Sequence, residues 1–300
     1  MKIAAFCLPG SEQVRLGAVV GDDRLVDFAA AAGRAADERF FDMLAFLRGG
    51  RAASTTAREL AESGRGVRAF QEVRLKAPLA RPGKMLAAGL NYEEHRAEAG
   101  PKMPRPPYPE GFVKLASTII GPEDSIVAWP DVEQLDYEGE LAVVIGRTAH
   151  NVPPEDALDC VAGYTALNDI TARDWQMNER SRGRSPLMGK NFPTFCPMGP
   201  WLVLRDEIPD PQALRLELRV NGEIRQSGST AEMIFTVREM VTHWSRLRLE
   251  PGDLILTGTP AGVAMGRKPD PSRFWLKPGD VVEVEIEKVG VLRNTVVSAV

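Results

Sequence analysis

Cysteine and histidine are scarce in this 300-residue chain, three of each. Cys7, Cys160 and Cys196 are odd in number and widely scattered, which fits neither a disulfide framework nor a zinc site; they read as small buried hydrophobes. Long apolar runs are missing too. No stretch approaches the roughly 18 apolar residues that a membrane-spanning helix needs. The opening MKIAAFCLPG is followed at once by Glu12 and Arg15, so no secretion signal is expected and the chain reads as cytoplasmic. Nor is there an excess of charge of either sign. The formal net charge is −4, which gives no electrostatic footprint for nucleic acid or an anionic membrane. With 44% apolar and 26% charged residues, what remains is an ordinary globular composition.

Along the chain, residues 1–75 alternate short apolar strands such as RLGAVV and RLVDF with an alanine-rich stretch and a helix around FFDMLAFLRGG, the pattern of a small N-terminal α+β domain. VRLKAPLARPGK, with Pro78, Pro82 and Gly83, reads as its linker to a larger domain over 76–300. There, LEPGDLILTG and LKPGDVVEVEIEKVG each place a Pro-Gly-Asp turn before a strand-like run. One helix over 236–247 lines up Val237, Met240, Val241, Trp244 and Leu247, with His243 off that stripe as a surface or interface residue. His150, in a polar loop, gets the same reading. Mostly strands with few helices predict a β-rich α+β core. The glycine-rich TGTPAGVAMGRKP lacks the Gly-Lys-Ser/Thr ending of a phosphate loop, so its glycines either let backbone approach a ligand or turn a corner.

Three stretches carry the chemistry. In LDYEGELAVVIG, Glu138 and Glu140 lie two apart, so on a strand they share a face. The run from 141 to 145 is apolar at every position, as for a strand covered on both faces. Either the glutamates sit at an exposed strand end or a cation holds them together. In GYTALNDITARDWQ, a strand gives way near Asp169 to a helix on which Arg173 and Gln176 share a face with it; Asp169 is either a helix cap or part of a site. In AGLNYEEHRAEAG, His95 and Glu98 are three apart, the spacing at which helical side chains touch. They form either a surface pair or a general base with its orienting carboxylate. PKMPRPPYPEG follows directly, and its five prolines predict a stiff hinge.

Taken in order, GLNYEEHRAEAG, FVKLASTIIGP, LDYEGELAVVIG, NDITARDWQ, MGKNFPTFCPMGPWLV, LTGTPAGVAMG and LKPGDVVEVEIEKVGVLRN resemble the fumarylacetoacetate hydrolase family from Gly83 to the C-terminus. The resemblance implies a mixed β-roll catalytic core, usually a homodimer. It implies a divalent cation bound by Glu138, Glu140 and Asp169, a catalytic His95–Glu98 dyad with Lys190, and substrate contacts from Arg173, Gln176 and Thr259. Two positions depart from the family pattern, Asn191 after Lys190 and Leu115 after Lys114, and bear on pocket shape.

Three carboxylates are hard oxygen ligands that suit Mg²⁺ (or Mn²⁺), and three single-oxygen ligands leave about three octahedral positions for water and a 2-oxo acid. The expected reaction is hydrolysis of a carbon–carbon bond in a 2,4-dioxo acid, an acylpyruvate such as fumarylpyruvate. His95 would deprotonate water and Lys190 would hold the developing oxyanion. The alternatives are an isomerase such as a 2-hydroxyhepta-2,4-diene-1,7-dioate isomerase, an oxaloacetate decarboxylase, a ureidoglycolate lyase, or a metabolite-binding protein without turnover. Between Gln176 and Lys190, Arg180, Arg182 and Arg184 belong either to a solvated loop or to a contact for a second substrate carboxylate.

Overall fold

In a strand buried on both faces, alternate residues must find partners on opposite sides. The strand Gly139–Ile145 is buried at all seven positions. Its Leu141, Val143 and Ile145 enter one core cluster, while Ala142 and Val144 enter another. That strand lies near the middle of a twelve-stranded sheet in the computed structural model, which describes residues 1–100 and 104–299. Its neighbours on one side are Val161–Asn168, then Cys196–Leu204, then Lys2–Cys7; on the other are Leu254–Leu256 and Met85–Ala88.

A second sheet of five strands, built around Arg215–Val220, Val281–Ile286 and Gly290–Ser298, closes the first cluster with Leu216, Leu218, Val284 and Leu292. The N-terminal segment closes the second with Phe28, Phe46 and Leu47. The molecule is thus the β-rich α+β fold expected from the sequence. No helix among the described residues is long and apolar enough to cross a membrane.

The strands Arg15–Val20 and Arg24–Asp27 and the helix Met43–Arg48 form in the N-terminal segment. A further helix, Gly50–Glu62, does not stand out in the sequence because it buries only Ala53, Ala57 and Leu60. The sheet runs on across residue 75. Lys2–Cys7 pairs with Cys196–Leu204, with Lys2 opposite Val203, and with Arg74–Lys76.

Both Pro-Gly-Asp turns precede strands, with Gly252 at φ 87° and Gly279 at φ 97°, the left-handed region that glycine enters without strain. The helix expected over 236–247 is α-helical only over Val237–Trp244, after a capping box of Thr236 and Glu239. It then tightens into a 3₁₀ turn at Ser245–Leu247, which rotates Leu247 off the buried stripe and out to solvent. His243 stacks on Tyr108 with ring centroids 5.4 Å apart. Of the proline-rich stretch read as a hinge, residues 101–103 lie outside the described residues, and 104–110 form no helix or strand.

Candidate active site

Strand register brings the acids together. Gly139 pairs with Asn168, so the next residues outward, Glu138 and Asp169, meet, and the Asp169 amide donates to the Glu138 carbonyl at 2.8 Å. Glu140, two residues along, shares the face of Glu138. One carboxylate oxygen from each of the three lies within 4.8 Å of the other two. Relative exposures of 6% for Glu138, 1% for Glu140 and 0% for Asp169 rule out a solvated strand end. Asp169 is not a helix cap either. The helix begins at Arg173, because the short strand Thr171–Ala172 first pairs with Leu135–Asp136.

Buried carboxylates need counter-charge, and three buried cations supply part of it. Lys190 Nζ donates to Glu138 and to Asp169, each at 2.7 Å. Lys114 Nζ donates to Asp169 at 2.7 Å and to the carbonyls of Lys190 and Phe195. Arg173 uses all three nitrogens: Nε on Asp136 at 2.8 Å, Nη1 on the Gln176 side-chain carbonyl at 2.9 Å and Nη2 on Glu138 at 2.6 Å.

Glu140 is left with the Gly258 amide at 2.9 Å and no cation in contact among the described residues. The electrostatics divide accordingly. Burial would raise the Glu138 carboxyl, but Lys190, Arg173 and His95 together hold it well below the usual carboxylate range. Burial, followed by the charges of Asp169 and Glu138, pushes Glu140 well above that range. A hard-oxygen triad of which one member lacks a counter-charge fits a divalent cation.

The dyad is assembled on the helix Glu93–Ala99. His95 Nδ1 lies 3.0 Å from Glu98 Oε2, and Glu98 Oε1 accepts from the Gly262 amide at 2.8 Å. His95 is 5% exposed, so this is not a surface pair. With Nδ1 directed at the Glu98 carboxylate, Nε2 is the ring nitrogen without a partner among the described residues. His95, Glu138, Arg173, Gln176, Lys190 and Thr259 line one narrow cavity of about 20 Å³.

The glycine-rich loop is a backbone scaffold for this site. Gly262, at φ 108°, passes so close to Arg225 that an added Cβ would lie 2.1 Å from its carbonyl oxygen. Gly258 and Gly262 thereby place amides on Glu140 and Glu98. The family model described as fumarylacetoacetate (FAA) hydrolase C-terminal matches residues 84–297.

The chain belongs to the fumarylacetoacetate hydrolase family. Among proteins similar to this family member, the mitochondrial oxaloacetate tautomerase FAHD2A of Homo sapiens is 44% identical over 256 residues, 85% of this chain and 79% of that protein. A fumarylacetoacetate hydrolase from psychrophilic Exiguobacterium antarcticum is 37% identical with a TM-score of 0.83, covering 100% of both chains. A maleylpyruvate hydrolase from Sphingobium sp. SYK-6, in complex with manganese(II) ion and pyruvate, is 30% identical with a TM-score of 0.79, again over 100% of both chains.

In this family member, the nine residues expected at the site converge, but several are committed to one another. Besides the three side-chain bonds of Arg173, the Thr259 hydroxyl donates to the Gly139 carbonyl and accepts from Gln226, each at 2.8 Å. Two buried residues have roles that the sequence reading did not assign. Asp136 anchors Arg173 and accepts from the amides of Ala264 and Met265. Lys114 holds Asp169 Oδ1 while Lys190 holds Oδ2, and its signal in the composition of the stretch is a charge inside the apolar run FVKLA. Of the three loop arginines, Arg180 lines the cavity, whereas Arg182 and Arg184 are exposed and line no part of it. Burial, and after it the charge of Arg173, lowers the Arg180 pKa, with Glu138 opposing.

Proposed function

We propose that this family member is a divalent-cation-dependent tautomerase, moving a proton at the carbon beside the oxo group of an oxaloacetate-type 2-oxo acid. The observation that carries this reading is the pairing of buried His95 with Glu98, with His95 lining the same cavity as Glu138 of the acid triad. Glu138, Glu140 and Asp169 would hold the cation, Mg²⁺ or Mn²⁺, which when bound supplies electron withdrawal from the oxo group.

His95 does the proton transfer. From the ketone, Nε2 takes a proton from the carbon next to the oxo group. The C–H electron pair becomes the carbon–carbon double bond and the oxo oxygen takes the proton back from Nε2 to give the enol, leaving His95 as it began; the reverse sequence restores the ketone. Glu98 keeps the imidazole in the tautomer this requires and stabilises its protonated form. The side-chain NH₂ of Gln176, without a partner among the described residues, is a donor available to the substrate. The 44% identity to a protein named as an oxaloacetate tautomerase supports the assignment.

A second reading, hydrolysis of an acylpyruvate, is favoured by the whole-chain likeness to a maleylpyruvate hydrolase. His95 would take a proton from water, the water oxygen would bond to the distal carbonyl carbon, and the adjacent carbon–carbon bond would break. Its electron pair would go to the pyruvate fragment, which then takes a proton. That reaction needs an oxyanion contact. Lys190 is the candidate, yet two of its three N–H donors are held by Glu138 and Asp169, which favours the tautomerase.

The test follows enol-oxaloacetate and maleylpyruvate with the purified protein and Mg²⁺. Catalysed loss of enol without release of carbon dioxide supports the first reading. Pyruvate plus a free acid from maleylpyruvate selects the second, and no conversion of either sinks both.

A further inference from the structure

Arg173, Gln176 and Arg180 follow one another at spacings of three and four on the helix Arg173–Ser181, and so project from one face. All three line the cavity that holds His95 and Lys190. Arg173 already spends three of its five N–H donors on Asp136, Glu138 and Gln176. Lys190 is bound to Glu138 and Asp169. Arg180 differs. It is half-buried, and its guanidinium has no hydrogen bond or ion pair among the described residues. It also lines a neighbouring vestibule of about 340 Å³ that shares Leu90 and Phe112 with the cavity, so it stands where the two spaces join.

An oxaloacetate-type substrate carries two carboxylates. The end bearing the oxo group belongs with the acid triad; the other end, surrounded by Glu138 and its neighbours, needs a positive group that is not already neutralised. We propose that Arg180 binds the second carboxylate of a 2-oxo dicarboxylate and so makes the site selective for diacids, an inference that rests on the 2-oxo acid reading above. A planar guanidinium can hold a carboxylate through two parallel hydrogen bonds, which a lysine cannot reproduce. Glu179 fixes the path of the chain beside it. Its carboxylate accepts from the amides of Leu187, Met188 and Gly189, folding the intervening loop back so that Arg182 and Arg184 face solvent while Arg180 stays at the cavity.

The experiment has two arms. In the first, kcat/KM for enol-oxaloacetate is compared with that for its 4-ethyl ester, which keeps the carbon skeleton and removes the second charge. Arg180→Ala lowers the diacid-to-ester ratio by about 10- to 100-fold, the scale of one charge-assisted contact, and leaves the ester rate in place. Arg180→Lys falls between, and Arg182→Ala and Arg184→Ala keep the wild-type ratio.

In the second arm, calorimetry with Mg²⁺ present measures binding of 2-oxoglutarate against 2-oxobutyrate. Wild type prefers the diacid and Arg180→Ala does not. This arm stands even if no tautomerase activity is found, so failure of the functional reading is seen separately. A wild type that binds both acids alike, or neither, or an Arg180→Ala variant that keeps the preference, overturns the proposal.

Discussion

Arg173 donates from Nε to Asp136 at 2.8 Å with both side chains buried, so an arginine expected to meet substrate is also built into the wall of the site. Its other nitrogens hold Glu138 and Gln176 in place. Removing one partner of a buried ion pair leaves the other charge uncompensated, typically a loss of about 3–5 kcal/mol. Arg173→Met is expected to lower metal-free stability on that scale in chemical denaturation. A change no larger than that of an exposed arginine such as Arg184 would show that Arg173 is not structural.

Cation binding should register as stability. Mg²⁺ at 100 times its Kd is expected to stabilise the fold by about 2.7 kcal/mol, and a chelator to remove that gain. Glu140→Gln separates repulsion from general damage. It lifts the like-charge conflict with Asp169 and Glu138, so the metal-free melting temperature rises while the Mg²⁺-induced shift disappears. A metal-free protein that melts lower after this substitution would argue against a strained, cation-demanding triad.

His95→Ala should separate proton transfer from metal binding. Loss of a general base slows turnover by about 10²- to 10⁴-fold, whereas Mg²⁺ affinity by calorimetry should match wild type because His95 is not among the three clustered ligands. Weakened Mg²⁺ binding in this variant would place the imidazole at the metal, and the proposed roles would fall.

Gly262→Ala tests the backbone scaffold behind the dyad. The φ of 108° and the 2.1 Å approach of a Cβ to the Arg225 carbonyl force the loop to move, and with it the amide on Glu98. Backbone strain of this kind is worth about 1–3 kcal/mol. The expected result is a lower melting temperature together with reduced kcat. Unchanged kcat would separate the loop from the orientation of Glu98.

The sequence by itself determined what lies within single elements. The strand covered on both faces, the turns before Leu254–Leu256 and Val281–Ile286, and the pairs His95–Glu98, Glu138–Glu140 and Arg173–Gln176 were legible because a fixed backbone period sets the direction of each side chain. Continuing that helix spacing from Gln176 would also have singled out Arg180 from Arg182 and Arg184.

Only the tertiary structure decided which charges meet. Lys114 reaches Asp169 across 55 residues, and Arg173 reaches Asp136 across 37. The tightening that turns Leu247 outward occurs at the end of a helix whose stripe the sequence had extended. Such contacts depend on the register of Gly139 opposite Asn168 and on how the loops close over it. Register is fixed by the whole core packing at once, and no local spacing contains it.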